Sequence, residues 1–331
     1  MTSDGIPLLR ASQLRPFIAA MRQIGAPSER YLREAKLPLL AHHDAHAVVP
    51  EVFAWNFVNK VARGEDVQDL GRFAAKVMPV WQSEPGFIHL LQSLPTLWIG
   101  LSTFCRLVVH FSNMAPFRVE RAGERALFLR NRRPGIPGEA QAELYVVEIM
   151  IQLVQLAAGL EWVPPEVLVS DVNARRLVES EAFDGVRVRR SDTCTGVCFP
   201  AAMLARPMNA LATEPGTPMP ESLADDFVDS LRAAIGGYLR DRRPDIHLVA
   251  EMAGLSERTL QRRLGKAGLS FRALLDQVRL DQALSKLREP GARITEVAYD
   301  LGFSDAAHFT RAFRRWTALS PREFRHQHQL A

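Results

Sequence analysis

Three side chains that carry paired hydrogen-bonding groups lie close together towards the carboxyl end of the chain: Arg258, Gln261 and Arg262. Arginine matches the edge of guanine, and glutamine the edge of adenine, through two hydrogen bonds in the major groove of DNA. Thr259 and Lys266 lie beside them. We expect this set to contact DNA if the segment is a helix that exposes these side chains.

The stretch that leads into these residues occurs twice. Val249–Ser256 returns in outline as Val297–Ser304, at an offset of 48 residues (297 − 249). Each copy begins as a short helix with a small residue, Ala250 or Ala298, where a second helix must approach closely. The repeat therefore predicts a helix-turn-helix written twice.

The turn and the start of the second helix are repeated as well. Gly254 and Gly302 supply the turn, because glycine adopts left-handed backbone angles without steric cost. Ser256 and Ser304 are predicted to be the N-caps of the helices that follow. One copy alone would also fit an αα corner with solvated arginines. Two copies in register, both followed by basic helices, disfavour that interpretation.

Two reading helices are predicted after these serines, Glu257–Lys266 and Asp305–Trp316. Their buried stripes lie at four-residue spacing, the second one residue later relative to its serine: Leu260, Leu264, Phe309 and Phe313. The second helix leaves four polar side chains outward: His308, Thr310, Arg311 and Arg314. A long connecting helix is expected to hold the two reading helices about one turn of DNA apart, ~34 Å. Its apolar face is formed by Phe271, Leu274, Leu275, Val278, Leu284 and Leu287.

The runs Leu255–Leu264, Ile294–Ser304 and Phe309–Pro321 resemble the DNA-binding domain of AraC/XylS-type regulators, over residues 225–327. The resemblance implies an all-α domain in which both helix-turn-helix units, at 246–267 and 294–317, contact double-stranded DNA.

By this resemblance, base contacts come from Arg258, Gln261 and Arg262 on the first reading helix. The corresponding positions of the second are Ala306, Ala307, Thr310 and Arg311. The two alanines have no hydrogen-bonding groups, so the second unit reads thymine methyl groups or DNA shape, or mainly holds phosphates. Ala318 also replaces a glycine common in the family, a small strain at most. Most of the base specificity is therefore expected in the first unit.

A break in composition divides the chain. Five prolines and glycines gather in Arg206–Ser222, which reads as an exposed linker because proline blocks helix and ladder hydrogen bonds. The predicted organisation is an effector-sensing or dimerisation domain at 1–205, the linker at 206–222, and the DNA-binding domain at 223–331. A chain of 331 residues suits about two domains.

The N-terminal domain is predicted to be α+β, with a helix-rich first half and a small mixed sheet. Its predicted helices are Ser12–Ile24, Ser28–Ala35, Pro50–Ala62, Val67–Val77, Pro95–Phe111 and Ala140–Leu160. Its predicted strands are Phe117–Arg121, Ala126–Arg130, Val167–Ser170, Val186–Val188 and Gly196–Phe199. Pro50 suits the first turn of its helix.

The same domain is similar to the AraC/XylS subgroup whose sensor domain is called arabinose-binding-like. The similarity rests on Leu94–Leu97, Trp162–Val167 and Phe199–Pro207. The subgroup's name does not establish a sugar ligand.

Three other groups of residues are weaker candidates for a functional site. His42, His43 and His46 resemble a metal-binding loop, although a polar loop explains them more simply. Cys194 and Cys198 are spaced to sense redox or hold a metal, but lack partner ligands. Trp55, Trp81, Trp98, Phe104 and His110 are aromatic candidates for a ligand pocket, and equally for plain core. We expect no cofactor and no metal site.

The leading interpretation is a cytoplasmic transcription regulator, most often an activator, that answers to a small-molecule effector. No apolar run is long enough to span a membrane, and the odd number of cysteines suits a reducing compartment. RNA polymerase and a second copy of the chain are the further expected partners. The alternatives are an enzyme-like N-terminal domain, disfavoured by the missing catalytic signatures, and an architectural DNA binder without a ligand.

Overall fold

The computed structural model describes residues 5–38, 44, 46–113, 116–209, 220–224, 226–240 and 244–329. The chain packs as two units. We call Pro7–Leu223 the N-terminal unit. The C-terminal unit is Ala224–Ala331 together with Met1–Ile6.

The N-terminal unit is rich in helices. Its described helices are α1 (Arg15–Gln23), α2 (Ser28–Glu34), α3 (Glu51–Gly64), α4 (Leu70–Val77), α5 (Val80–Ser83), α6 (Pro85–Gln92), α7 (Leu97–Leu107), α8 (Glu139–Ala158) and α9 (Asp171–Val178). Helix α8 is buried around its whole circumference, as expected for an apolar helix at the centre of a domain.

Helix α8 is tied to both ends of α4 and to the start of α5 through two side-chain amides. Gln141 accepts a hydrogen bond from the Gly71 N–H at 2.9 Å. Gln152 accepts from the Val80 N–H at 2.9 Å and donates to the Ala75 carbonyl at 2.8 Å. These bonds satisfy backbone groups that a helix cannot pair internally at its termini.

Two sheets complete the N-terminal unit. A short antiparallel ribbon pairs β1 (Leu8–Arg10) with β2 (Val48–Pro50). The larger sheet has the order β3-β4-β7-β5-β6 and is antiparallel except for the parallel pair β5–β6. Its strands are β3 (Phe117–Ala122), β4 (Arg125–Asn131), β5 (Glu166–Val169), β6 (Arg187–Arg190) and β7 (Cys194–Pro200).

The predicted α+β class, with a helix-rich first half and a small mixed sheet, is confirmed. The placement of Pro50 in a first helical turn is wrong: Pro50 ends β2, and α3 begins at Glu51. The ribbon and α5 were not predicted, because elements of three or four residues show too little periodicity. Helices α6 and α9 were also not predicted.

Glu143 joins α8 to the larger sheet. Its carboxylate, on a residue only 4% exposed, accepts hydrogen bonds from the backbone N–H of Ser170 at 3.0 and 3.1 Å and from the Ser170 hydroxyl. It also accepts from Asn173 Nδ2 at 2.7 Å and from the Thr195 hydroxyl at 2.6 Å. Arg132 Nε lies 3.5 Å away. One buried carboxylate thus holds three segments together.

The structure excludes a shared disulfide or metal site at Cys194 and Cys198. Cys194 and Cys198 lie four residues apart on the extended strand β7, which separates them by about 13 Å, too far to share a disulfide or a metal ion. Burial also raises the pKa of the Cys198 thiol to about 11, so the thiol stays protonated at neutral pH.

Two other predictions fall partly outside the described residues. His42 and His43 of the histidine loop are not among them, and within the described part of the chain no cluster of three metal-binding side chains occurs. Residues 210–219 of the predicted linker also lie outside. Of its described positions, 206, 207, 209, 221 and 222 are exposed, whereas 208 and 220 are half-buried.

Among its described residues, the C-terminal unit contains helices joined by turns and short loops, and no strand. Its helices are α10 (Phe227–Gly236), α11 (Ile246–Met252), α12 (Glu257–Lys266), α13 (Phe271–Arg288), α14 (Ile294–Asp300), α15 (Ala306–Thr317) and α16 (Pro321–Gln329). Helices α10 and α16 were not predicted. Across the residues that can be described in both units, no helix has the length and apolar character of a membrane span.

Helix α13 is the predicted connecting helix. Leu274, Val278 and Leu287 are buried along it, whereas Leu284 is half-exposed and Ala283 is buried instead. Polar side chains fix α13 to its neighbours: Gln282 Nε2 donates to the Gly236 carbonyl at 3.0 Å, and Lys286 Nζ lies 2.8 Å from Asp300. The helix therefore follows the first repeat in the chain and packs against α10 and against α14 of the second repeat.

Candidate nucleic-acid interface

The first helix-turn-helix unit consists of α11, a glycine turn and α12. Ala250 is 2% exposed, as a close approach of two helices requires. Gly254 has φ +63°. Its N–H donates to the Glu251 carbonyl at 3.0 Å, and the Leu255 N–H donates to the Ala250 carbonyl at 2.9 Å. This pattern ends α11 by pairing carbonyls that would otherwise be free.

The second unit, α14 and α15, repeats these bonds at the same offset. Gly302 has φ +75°, and its N–H donates to the Tyr299 carbonyl at 2.9 Å. The Phe303 N–H donates to the Ala298 carbonyl at 3.0 Å, and Ala298 is fully buried. The two turns are thus equivalent bond for bond.

The N-caps of the two reading helices differ. Ser256 Oγ accepts from the Thr259 N–H at 3.3 Å, so the predicted cap of α12 is present. The predicted cap at Ser304 is wrong, because Asp305 accepts from the His308 N–H at 2.7 Å and is the N-cap of α15. The buried stripe of α15 is also one residue later than that of α12, which was the sequence signal for this shift.

Replacing Asp305 with alanine should lower the melting temperature of the C-terminal unit at neutral pH more than Ser304→Ala does. The His308 N–H holds the pKa of the Asp305 carboxyl below its usual value. A lowered pKa stabilises the fold above the unfolded-state pKa, and this contribution is lost as pH falls through the folded-state pKa. Melting curves from pH 7 to pH 2 should therefore show the gap between wild type and Asp305→Ala closing in acid. Equal effects of the two substitutions would contradict the cap assignment.

Helix α12 exposes the predicted set opposite its core. Leu260 and Leu264 are fully buried. With 100° between successive residues, Arg258, Arg262 and Lys266 fall on the far side of the helix, and all three are exposed. Among the residues that can be described, none of these three cations has a hydrogen-bond or ion-pair partner.

The other polar residues of α12 are placed differently. Gln261 is exposed on the same outward arc as Arg258. Thr259 is half-exposed, and its hydroxyl accepts from the Ser256 hydroxyl at 3.0 Å, so it is engaged in the cap. The guanidinium of Arg263 lies 5.1 Å from the centre of the Phe227 ring and faces the unit itself.

Helix α15 buries Phe309 and Phe313 completely. Its outward side carries Ala307, Arg311 and Arg314, all exposed. Over the described ranges, no hydrogen bond or ion pair engages the side chains of these two arginines.

The remaining predicted residues of α15 are less available. Ala306 and Thr310 are half-buried, and the Thr310 hydroxyl donates to the Ala306 carbonyl at 2.7 Å. The ring of His308 is exposed, with Nδ1 3.1 Å from Ser304 Oγ and 3.4 Å from Asp305. The outward surface of α15 therefore presents two positive charges, from Arg311 and Arg314, and the methyl group of Ala307.

Several cations elsewhere in the C-terminal unit are already paired. Arg315 lies 3.0 Å from Asp276, and Arg240 lies 3.5 Å from Asp300. The outward arginines of α12 and α15 have no such ion pair among the described residues. Outward cations on the second helix of each helix-turn-helix unit are the arrangement that contacts with DNA phosphates and bases require.

Arg279 supports the second unit and was missed by the sequence reasoning. Its guanidinium lies 5.0 Å from the centre of the Phe303 ring, and Nε donates to the Leu301 carbonyl at 3.2 Å. These contacts join residues more than twenty positions apart, so a local sequence pattern could not predict them.

The N-terminal unit contains an aromatic cavity of about 80 Å³. Of the aromatic candidates, Trp55 and Phe104 line it, whereas Trp81, Trp98 and His110 do not. Trp98 is 43% exposed, and His110 Nδ1 lies 2.7 Å from the Pro220 carbonyl.

Comparisons with known proteins agree with this geometry. The family described as "Arabinose-binding domain of AraC transcription regulator, N-term" matches residues 25–208, more than half of the chain. A helix-turn-helix domain family matches residues 249–327, which include both reading helices.

Two curated proteins and one solved structure are among those similar to this chain. The HTH-type transcriptional regulator VirS of Mycobacterium tuberculosis is 24% identical over 96% of this chain and 96% of its own length. The HTH-type transcriptional activator RhaS of Escherichia coli is 45% identical over 23% of this chain and 28% of its own. The solved structure of the transcriptional regulator CdpR from Pseudomonas aeruginosa aligns with a TM-score of 0.37 at 22% identity, over 95% of this chain and 98% of its own.

These relatives are regulators of transcription, and the predicted resemblance is confirmed. The chain belongs to the AraC-type family of DNA-binding transcription regulators, with an N-terminal domain of the arabinose-binding type.

Proposed function

We propose that this protein is a one-component activator in the cytoplasm. Residues 1–205 would sense a small molecule or mediate dimerisation, 206–222 would link, and 223–331 would bind promoter DNA. The register-matched pair of turns, each followed by a helix with unpaired outward cations, carries the proposal. RhaS is named a transcriptional activator, which supports activation and contact with RNA polymerase.

Within the DNA-binding domain, we propose a division of labour. Helix α12 reads bases through Arg258, Gln261 and Arg262, since these exposed side chains can each form paired hydrogen bonds. Helix α15 anchors the protein on phosphates through Arg311 and Arg314. The remaining predicted contacts, from Thr259, Lys266, Ala306, Ala307, His308 and Thr310, are secondary.

Arg262→Ala should weaken binding to a cognate site by about 1–3 kcal/mol and relax base preference at one position. The site is first selected from randomised DNA with the wild-type chain. Affinities for that site and its single-base variants are then measured in a gel-shift titration at fixed salt. Arg293→Ala is the matched control, because Arg293 is an exposed arginine outside both reading helices. Unchanged affinity and selectivity in Arg262→Ala would overturn its reading role.

Arg314→Ala should weaken binding to all sequences alike. Loss of one phosphate contact reduces the slope of log K against log salt by about 0.9. Titrations with specific and random duplexes at several salt concentrations measure both effects. A slope equal to that of the wild type would contradict the phosphate role of Arg314.

A further inference from the structure

The cavity of the N-terminal unit has a preformed aromatic wall. Phe87, Phe104, Phe111 and Phe117 all line it. The ring centres of Phe87 and Phe111 lie 5.1 Å apart, and those of Phe104 and Phe117 also 5.1 Å. Rings in mutual contact hold their orientation, so the wall can accept a flat apolar group without rearrangement.

A single arginine meets this apolar wall. Arg130 lies on β4 opposite Phe117 of β3, is only 9% exposed and lines the cavity. Its guanidinium carbon is 5.8 Å from the centre of the Phe117 ring. Burial lowers the pKa of Arg130, but a guanidinium remains charged in proteins.

Within the described chain, Arg130 has a cation–π contact with Phe117 but no hydrogen-bond or ion-pair partner. Of the two nearby carboxylates, Glu51 pairs with Arg133 through Oε2 at 3.0 Å, while its buried Oε1 has no hydrogen-bond partner among the described residues. Glu143 is held by Arg132 and its neutral donors. Glu51 and Glu143 act on Arg130 only from beyond ion-pair distance. A buried, unpaired cation is costly to the fold, so a bound anion would recover that cost.

The other charged group at the cavity is already engaged. Glu84 Oε1 accepts from Gln13 Nε2 at 2.9 Å, and burial raises the pKa of its carboxyl. Glu84 lines the cavity as well and can hydrogen-bond a polar substituent of the ligand.

We infer that this cavity binds a small carboxylate with an aromatic or apolar body, its carboxylate paired with Arg130 and its body against the phenylalanine wall. The inference deepens the proposed sensing function and rests on it. A guanidinium–carboxylate pair is bidentate and strong, and a neutral ligand of the same shape would leave Arg130 unpaired.

The test compares acids with uncharged molecules of the same shape on the full-length chain without DNA. Phenylacetate and benzoate are titrated calorimetrically beside phenylacetamide and benzamide. The amides should bind at least about tenfold more weakly than the acids. In Arg130→Met this preference should vanish. In Arg118→Met it should remain, because Arg118 lies on β3 outside the cavity lining, with its side chain 40% exposed.

Two further measurements keep the result decisive. The free Arg130→Met protein should melt no lower than the wild type, because an unpaired buried charge has been removed. If that variant does not fold, the wild-type preference for acids decides alone. Equal binding of acids and amides, or no binding of either, overturns the inference. Acid binding that leaves promoter binding unchanged would support the site and contradict the sensing function.

Discussion

Replacing Gly302 with alanine is expected to destabilise the C-terminal unit by roughly 2–5 kcal/mol. The residue has φ +75°, which costs any L-residue about 1–2 kcal/mol. An added Cβ would also lie 2.6 Å from the carbonyl oxygen of Leu239. Backbone cannot swing aside as a side chain can, so the turn itself must shift. Urea unfolding followed by far-UV circular dichroism, with the two units fitted as separate transitions, measures the loss.

Gly254→Ala is the matched control for that prediction. Gly254 has φ +63°, but an added Cβ there would meet nothing within 4 Å. This variant carries the backbone strain alone and should lose about 1–2 kcal/mol. If the two variants lose the same free energy of unfolding, the close packing of the second turn against Leu239 is not what makes glycine necessary at position 302.

Glu143→Ala is expected to destabilise the N-terminal unit by about 3–5 kcal/mol. The substitution leaves the buried donors of Ser170, Asn173 and Thr195 without an acceptor, and it removes one of the two carboxylates beside Arg132, which keeps only Glu139. Tryptophan fluorescence during urea unfolding reports this unit, because four of the five tryptophans lie in it: Trp55, Trp81, Trp98 and Trp162.

Glu139→Ala, one turn earlier on α8, provides the comparison. Glu139 also pairs with Arg132, but its side chain is 26% exposed, so its loss should cost no more than about 1 kcal/mol. A loss in Glu143→Ala as small as that in Glu139→Ala would show that the Glu143 donors find other acceptors or water.

The helix-turn-helix units could be read from the sequence because each is encoded locally. A small residue, a turn glycine and a cap lie within eight positions, and the second copy repeats them at 48 residues. The one error, Ser304 in place of Asp305, arose where two residues suited to capping are adjacent. The buried stripe at Phe309 and Phe313 lies one residue later relative to Ser304 than the stripe of α12 does relative to Ser256. That shift already indicated Asp305 as the N-cap.

The N-terminal unit was less predictable because its key contacts join distant residues. The carboxylate of Glu143 accepts a hydrogen bond from Thr195, 52 positions along the chain. Arg130 and Phe87 line the same cavity although they are also far apart in sequence. A local sequence pattern does not predict such long-range contacts. The ribbon of β1 and β2 was missed for the same reason, since strands of three residues are defined by their partners.

The outward face of α12 also affects the stability of its own helix. Arg258, Arg262 and Lys266 are spaced four residues apart, which places like charges on neighbouring turns. Each such pair costs a helix about 0.2–0.5 kcal/mol. Dissolved ions screen this repulsion and so favour the free helix, while the same ions compete with its contacts to phosphate. Raising the ionic strength should therefore stabilise this helix in the free protein and weaken its binding to DNA.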